Sequence, residues 1–241
     1  MHAWSRPQTA GDDALNLEAG INRFAWGCRW ADAKGFDGMI LWGGTLSGLD
    51  ALPGRYTVRL KIGDGGGEKQ WTTPLELRAD PRRDAPLAEM KERLDFLIGL
   101  RDLLTRTHTA IARIRELRPQ LETLARRIEK RKECDDVVKR ANELKDRLTV
   151  VEEALYQTKL RSGEDALNHP IKLNNKLADL YANVLSNPRR PSEQSRQFRA
   201  ELTPPIEAEL AKFQELVDKE IPALNRLAME QQVPAIFLQQ D

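Results

Sequence analysis

Beyond residue 85 the apolar positions step along the chain by threes and fours. Leu87, Met90, Leu94, Leu97, Leu104, His108, Ile111 and Ile114 fall on one helical stripe. Cys134, Val137, Ala141, Leu144, Leu148, Val151 and Leu155 keep the same step, and Leu173, Leu177, Leu180 and Val184 repeat it. A last row runs through Phe198, Leu202, Ile206, Glu209, Phe213 and Leu216. With 3.6 residues per turn, each row makes one seam, and seams of this spacing pack together as coiled-coil-like bundles. Breakers divide the rows. Asp84 suits a helix cap with Pro86 in the first turn, and Pro119 is expected to end or kink the first long helix. "RSGED" (161–165) and "SNPRRPS" (186–192) separate the later helices, and Thr203-Pro204-Pro205 should kink or restart the last. The pattern predicts three to five helices, two of them long, in an antiparallel bundle or hairpin.

Before residue 80 the period is two. In "RYTVRLKI" (55–62) Tyr56, Val58, Leu60 and Ile62 point one way, and Arg55, Thr57, Arg59 and Lys61 the other. "GDGGG" (63–67) and a second alternating run, "EKQWTTPLELRA" (68–79), complete the signature of a β-hairpin. Upstream, "LNLEAGINRFAWGCRW" and "GMILWGG" each read as a further strand. Phe24, Trp26 and Trp30 share one face if the backbone is extended, and a small sandwich needs such a row in its core. The prediction is an α+β protein: an immunoglobulin- or fibronectin-like β-sandwich over 1–80, a linker at 81–85 and a long-helix bundle over 86–241.

Charge adds little to this picture. Lys+Arg 38 against Asp+Glu 37 leaves +1, so no global field draws the chain to nucleic acid or anionic lipid. The basic run "RRIEKRKE" (126–133) is diluted by Glu129 and Glu133. No apolar run is long enough to span a bilayer, and the first residues lack the apolar core of a secretory signal.

Chemistry is sparse as well. Cys28 and Cys134 make no CxxC or metal pattern, and His2, His108 and His169 show no ligand spacing. On an apolar stripe, His108 reads as a satisfied core histidine. "GDGGG" has no Lys-Ser/Thr pair for a phosphate loop, and Asp64 has no partners for a calcium loop. Nearly every acid after residue 84 stands beside Lys or Arg on a helix face, as Glu143 does with Arg147 and Glu152 with Lys159 two turns on. No pair is marked as acid and base for sugar hydrolysis. The sequence therefore predicts a non-catalytic chain with no metal and no cofactor. Trp42 and Trp71 stand apart from the aromatic row and are the candidate ligand-binding residues.

Several stretches, taken in order, carry a resemblance: "AGINRFAWGCRWADAKGFDGMILWGG", "PGRYTVRL", "RADPRRD", "RTHTAIARIRELRPQLE", "DALNHPIKLNNKLADL" and "IPALNRLAMEQQVPAI". From about residue 17 to 237 the chain resembles the C-terminal region of bacterial sortilin-like, Asp-box-repeat proteins described as glycosyl hydrolases. In those proteins a β-propeller precedes a small sandwich and a helical tail. The Asp-box pattern itself is absent here, so the resemblance transfers no catalytic residue. It implies a β-propeller partner in the same or a companion chain, and a periplasmic or secreted location for the full-length protein; otherwise the chain reads as cytoplasmic.

Three functions follow as expectations. The first is a non-catalytic accessory module for structural support or protein contact, with a homo-oligomer through the helices if a second seam is exposed. The second is a carbohydrate-binding module using Trp42 or Trp71. The third is a glycoside hydrolase in its own right.

Overall fold

A computed structural model describes residues 19–23, 26–62, 69–82 and 85–233. Phe24, Asp84, the "GDGGG" tip and His2 lie outside the described residues. The described residues form two strands and five α-helices: β1 Gly54–Ile62, β2 Lys69–Leu77, α1 Leu87–Ile128, α2 Asp135–Leu155, α3 Leu173–Ser186, α4 Glu193–Glu215 and α5 Ile221–Glu230.

The expected sandwich is not there. The described strands form a single two-stranded antiparallel sheet, in which Tyr56 faces Leu75 and Leu60 faces Trp71. "GMILWGG" and the described part of the upstream stretch, residues 26–30, are not strands. Left-handed backbone at Cys28, Gly38, Gly43 and Gly44 interrupts any extended run. Residues 28–33 and 46–51 instead approach each other antiparallel through Trp30 N–H to Leu49 O, Ala33 N–H to Leu46 O and Ala51 N–H to Cys28 O, each 2.8 Å. Their apolar side chains serve the helices: Ala33 and Leu49 join the buried core, and Trp30, Phe36, Met39, Leu41 and Leu46 pack against it. The immunoglobulin-like reading fails because these apolar residues have a helical surface to cover and need no second sheet. The expected aromatic row is not formed by its two described members. Trp26 stands edge-on to Tyr56 of the hairpin at 5.9 Å, whereas Trp30 lies under Arg101 of α1 at 5.5 Å.

The helical seams bury as the spacing requires. Leu97, Leu104, Ile111, Ile114, Leu148, Leu155, Leu177 and Ile206 are fully buried, but Leu87 and Phe198 at the ends of their rows are exposed. Bonds between helices set their directions. Arg115 of α1 meets Glu152 of α2, and Arg118, one turn later, reaches back to Thr149, so these two helices run antiparallel. Arg93 donates to the carbonyls of Val184 and Leu185 at the end of α3, while His108 faces Asn174 at its start. Arg196 pairs with Glu92 and Glu207 with Arg106, so α4 runs parallel to α1.

None of the helical prolines breaks a helix. α1 continues through Pro119, and α4 through Pro204 and Pro205. All three prolines are exposed, on the outer side of their helices, where a lost backbone bond costs least because water can replace it. A π turn, Leu216–Glu220, joins α4 to α5 just before Pro222. Its wider turn suits a ring that cannot close an i to i−4 bond, and Ile221 N–H bonds back to Leu216 O.

The segment 29–52 is fitted closely to α3. Gly44 has φ +71°, and a Cβ there would come within 2.8 Å of the Ala178 Cβ. Gly44→Ala is therefore expected to lose about 1–3 kcal/mol in denaturant unfolding, from left-handed strain and overpacking together.

Candidate functional site

Three features could carry function: a polar clamp on the N-terminal segment, a charged groove between α1 and α2, and the hairpin.

The clamp is built by the first turns of α3. Asn175 accepts from Trp42 N–H at 2.8 Å, donates to Trp42 O at 2.9 Å, and donates to Asp179 at 3.0 Å. Tyr181 donates to Ser47 O at 2.6 Å, and burial pushes its hydroxyl up to about 12. His108 is fully buried. Its Nδ1 lies 2.7 Å from Lys34 O, an acceptor only, so Nδ1 carries the proton and Nε2 accepts from Asn174 at 3.4 Å. Nδ1 thus holds the segment and Nε2 ties the ring to α3, so both ring nitrogens are engaged.

Burial lowers the His108 pKa, and the bond to Lys34 opposes this only in part. The unfolded chain then binds the proton more readily than the folded one, so this histidine's contribution is complete above about pH 6.5. It is lost as pH falls from there through the folded value. Urea unfolding from pH 7.5 down to pH 5 should show stability declining for the native chain and a shallower decline for His108→Gln.

The groove, of about 700 Å³, is lined among others by Arg115, Arg118, Lys145, Thr149, Glu152 and Tyr156. Glu152 is fully buried at its floor. Arg115 Nε meets one carboxylate oxygen at 2.7 Å and Arg118 the other. The Arg115 guanidinium also lies over Phe36 at 4.6 Å and Tyr156 at 5.1 Å and donates to Asp37 O at 3.1 Å. An acid for sugar hydrolysis needs an apolar pocket. Glu152 instead has two cations against it, and the cluster fastens residues 36–40 to the bundle. The expected pairing of Glu152 with Lys159 is replaced by these two arginines from α1. The signal was present in the sequence: Glu152 stands four residues after Leu148 and three before Leu155, on the buried stripe.

The hairpin presents the least expected surface. Its apolar face holds Val58 (47% exposed), Leu60 (41%), Ile62 (41%) and Trp71 (50%), with the half-buried Tyr56 and Leu75 at its base. The strands pack chiefly on each other. Of the two predicted ligand residues, Trp71 thus belongs to this face. Trp42, 45% exposed, belongs to the α3 clamp. The structure does not bring them together, and no ring contact joins them.

Among the described residues, no group of three or more His, Cys, Asp or Glu is placed to hold a metal ion, and no helix is long and apolar enough to cross a membrane. No family model, curated protein or solved structure matches the chain. The resemblance to sortilin-like proteins gains no support from these comparisons, and the sandwich it implies is not formed.

Proposed function

We propose that this chain is a non-catalytic contact module: a helical bundle that holds out a β-hairpin for another polypeptide. The observation that carries the reading is the exposed apolar face of Val58, Leu60, Ile62 and Trp71. Two nine-residue strands offer a face roughly 30 Å by 10 Å, or about 300 Å², a patch size that tends to be functional. A two-stranded hairpin is marginal in water by itself. A partner covering this face would both stabilise the hairpin and remove apolar surface from water, at about 25 cal/mol per Å². A β-propeller, the neighbour implied by the sequence resemblance, is one such partner. The exposed large apolar residues of the bundle (Leu87, Val150, Leu167, Phe198, Met229) are spread over four α-helices and the turn Gly163–Leu167 and do not make a row at seam spacing, so the hairpin is the stronger contact surface.

The test is panning of a displayed library of random 12-residue peptides against the intact chain. Enriched peptides should bind the native protein and lose binding to Leu60→Lys and Trp71→Lys, while both variants keep the native melting temperature because the face packs on no core of its own. Peptides indifferent to both variants would overturn the reading. So would an absence of peptide binders together with quenching of tryptophan fluorescence by oligosaccharides, which would return the assignment to a glycan.

A further inference from the structure

We infer that the free edge of β1 is a strand-addition site for an extended partner segment that alternates acidic and apolar residues. The inference rests on reading the hairpin as a contact surface and goes on to name the mode of contact and the chemistry of the partner.

The open edge follows from the register and one proline. Antiparallel pairs alternate between those that exchange backbone hydrogen bonds and those that do not. Pro74 has no N–H, so its pair with Thr57 must be of the second kind. Tyr56–Leu75, Val58–Thr73 and Leu60–Trp71 are then the bonded pairs. The N–H and C=O groups of Arg55, Thr57, Arg59 and Lys61 consequently point outward along β1. On the far edge, that of β2, the ring of Pro74 occupies an outward donor position and blocks a continuous ladder. The hairpin is thus open along β1 and closed along β2, and β1 pairs with β2 alone among the described residues.

The side chains along the open edge select the partner. Arg55, Arg59 and Lys61 share one face with Thr57, while the other face carries Tyr56, Val58, Leu60 and Ile62. Arg55 and Arg59 enter no ion pair among the described residues, and across the ladder Arg59 meets Thr72. The only carboxylate opposite them, Glu76, pairs with Arg78 at 3.4 Å. A second copy of the chain is a poor occupant. Joining two β1 edges would set arginines against arginines, and like charges directly opposite destabilise a sheet. An acidic strand relieves this repulsion. Its apolar residues would extend the face of Leu60 and Trp71, while its backbone would satisfy the row of outward groups, as in other cases of strand addition.

A capped, fluorescein-labelled nine-residue peptide alternating glutamate and valine is titrated with the full chain by anisotropy. A lysine–valine peptide is the control. The native chain should bind the acidic peptide at least tenfold more tightly than the basic one. Thr57→Pro removes an edge donor without touching the β1–β2 ladder and should weaken binding at least tenfold. Thr72→Pro, on the already closed edge, should change it less than twofold. Arg55→Glu/Arg59→Glu, which retains every backbone donor, should invert the preference between the two peptides. An unchanged preference in that variant, binding indifferent to Thr57→Pro, or no binding of the acidic peptide to the native chain would each overturn strand addition. A chain that sediments as a dimer until Thr57→Pro makes it monomeric would place a second copy on the edge and overturn the acidic partner. In all of these outcomes the library binders that depend on Leu60 and Trp71 remain the separate measure of the contact-module reading.

Discussion

Arg115→Ala is expected to lower the unfolding free energy by about 3–5 kcal/mol, measured by urea or guanidinium denaturation. The size of the effect comes from what the change leaves behind. Glu152 is fully buried, and with Arg115 gone it keeps only Arg118 as counter-charge. Breaking a buried ion pair from one side costs that much because a charge is left inside with too little compensation. The same change removes the stacking over Phe36 and Tyr156 and the bond to Asp37 O, so residues 36–40 should loosen. The double variant Arg115→Met/Glu152→Gln separates the two contributions. Replacing both partners with uncharged groups of similar volume should recover at least about 1 kcal/mol relative to Arg115→Met alone. If the two losses simply add, the packing of Arg115 and not the stranded carboxylate sets the cost.

Asn175→Ala should follow at about 2–4 kcal/mol. One side chain satisfies both backbone groups of Trp42 and also a carboxylate oxygen of Asp179. Leaving half-buried donors and acceptors without partners costs about 1–3 kcal/mol each. Asp179, already raised by burial and held down by this bond, would lose the group that favours its charged form. The Trp42 ring stands 45% exposed beside the clamp, so its emission should shift to the red in the variant before any global unfolding. An unchanged emission spectrum with native stability would show that the clamp does not hold the segment.

The two halves of the chain differ in how far the sequence revealed them. The rows from Leu94 to Ile114 and from Cys134 to Leu155 are legible because helix periodicity and burial coincide there almost residue for residue. The β1 strand is legible from its alternation at period two alone, since of its apolar face only Tyr56 is even half-buried. The segment 29–52 is not, because its apolar residues follow neither period. Phe36, Met39, Leu41 and Leu46 are placed by the helical core they pack against, and local backbone preference says nothing of a surface far along the chain. The prolines misled in the opposite sense: Pro119, Pro204 and Pro205 are breakers by local rule, but each falls on an exposed face, where water can take up a lost backbone bond. Trp42 and Trp71 are both exposed, as a ligand role requires, yet composition could not show that they sit on unrelated elements. Pro74 carried more than was read from it, since its place in the register decides which hairpin edge is open.

The fastening of 29–52 also sets an order of events during folding. Its bonds to Thr105, Tyr156, Asn175 and Tyr181 join residues 71, 116, 133 and 134 positions apart. The contacts within each helix close over four residues, and α1 meets α2 across a short turn. Long loops are entropically costly to close and come late when local contacts can form first. Substitutions in the clamp, Asn175→Ala among them, should therefore speed unfolding and leave the refolding rate nearly unchanged, whereas shortening Ile111 or Leu148 in the α1–α2 seam should slow refolding. The last segment to dock is also the first to leave. Partial opening of this protein would begin at its N-terminal segment, with the bundle still intact.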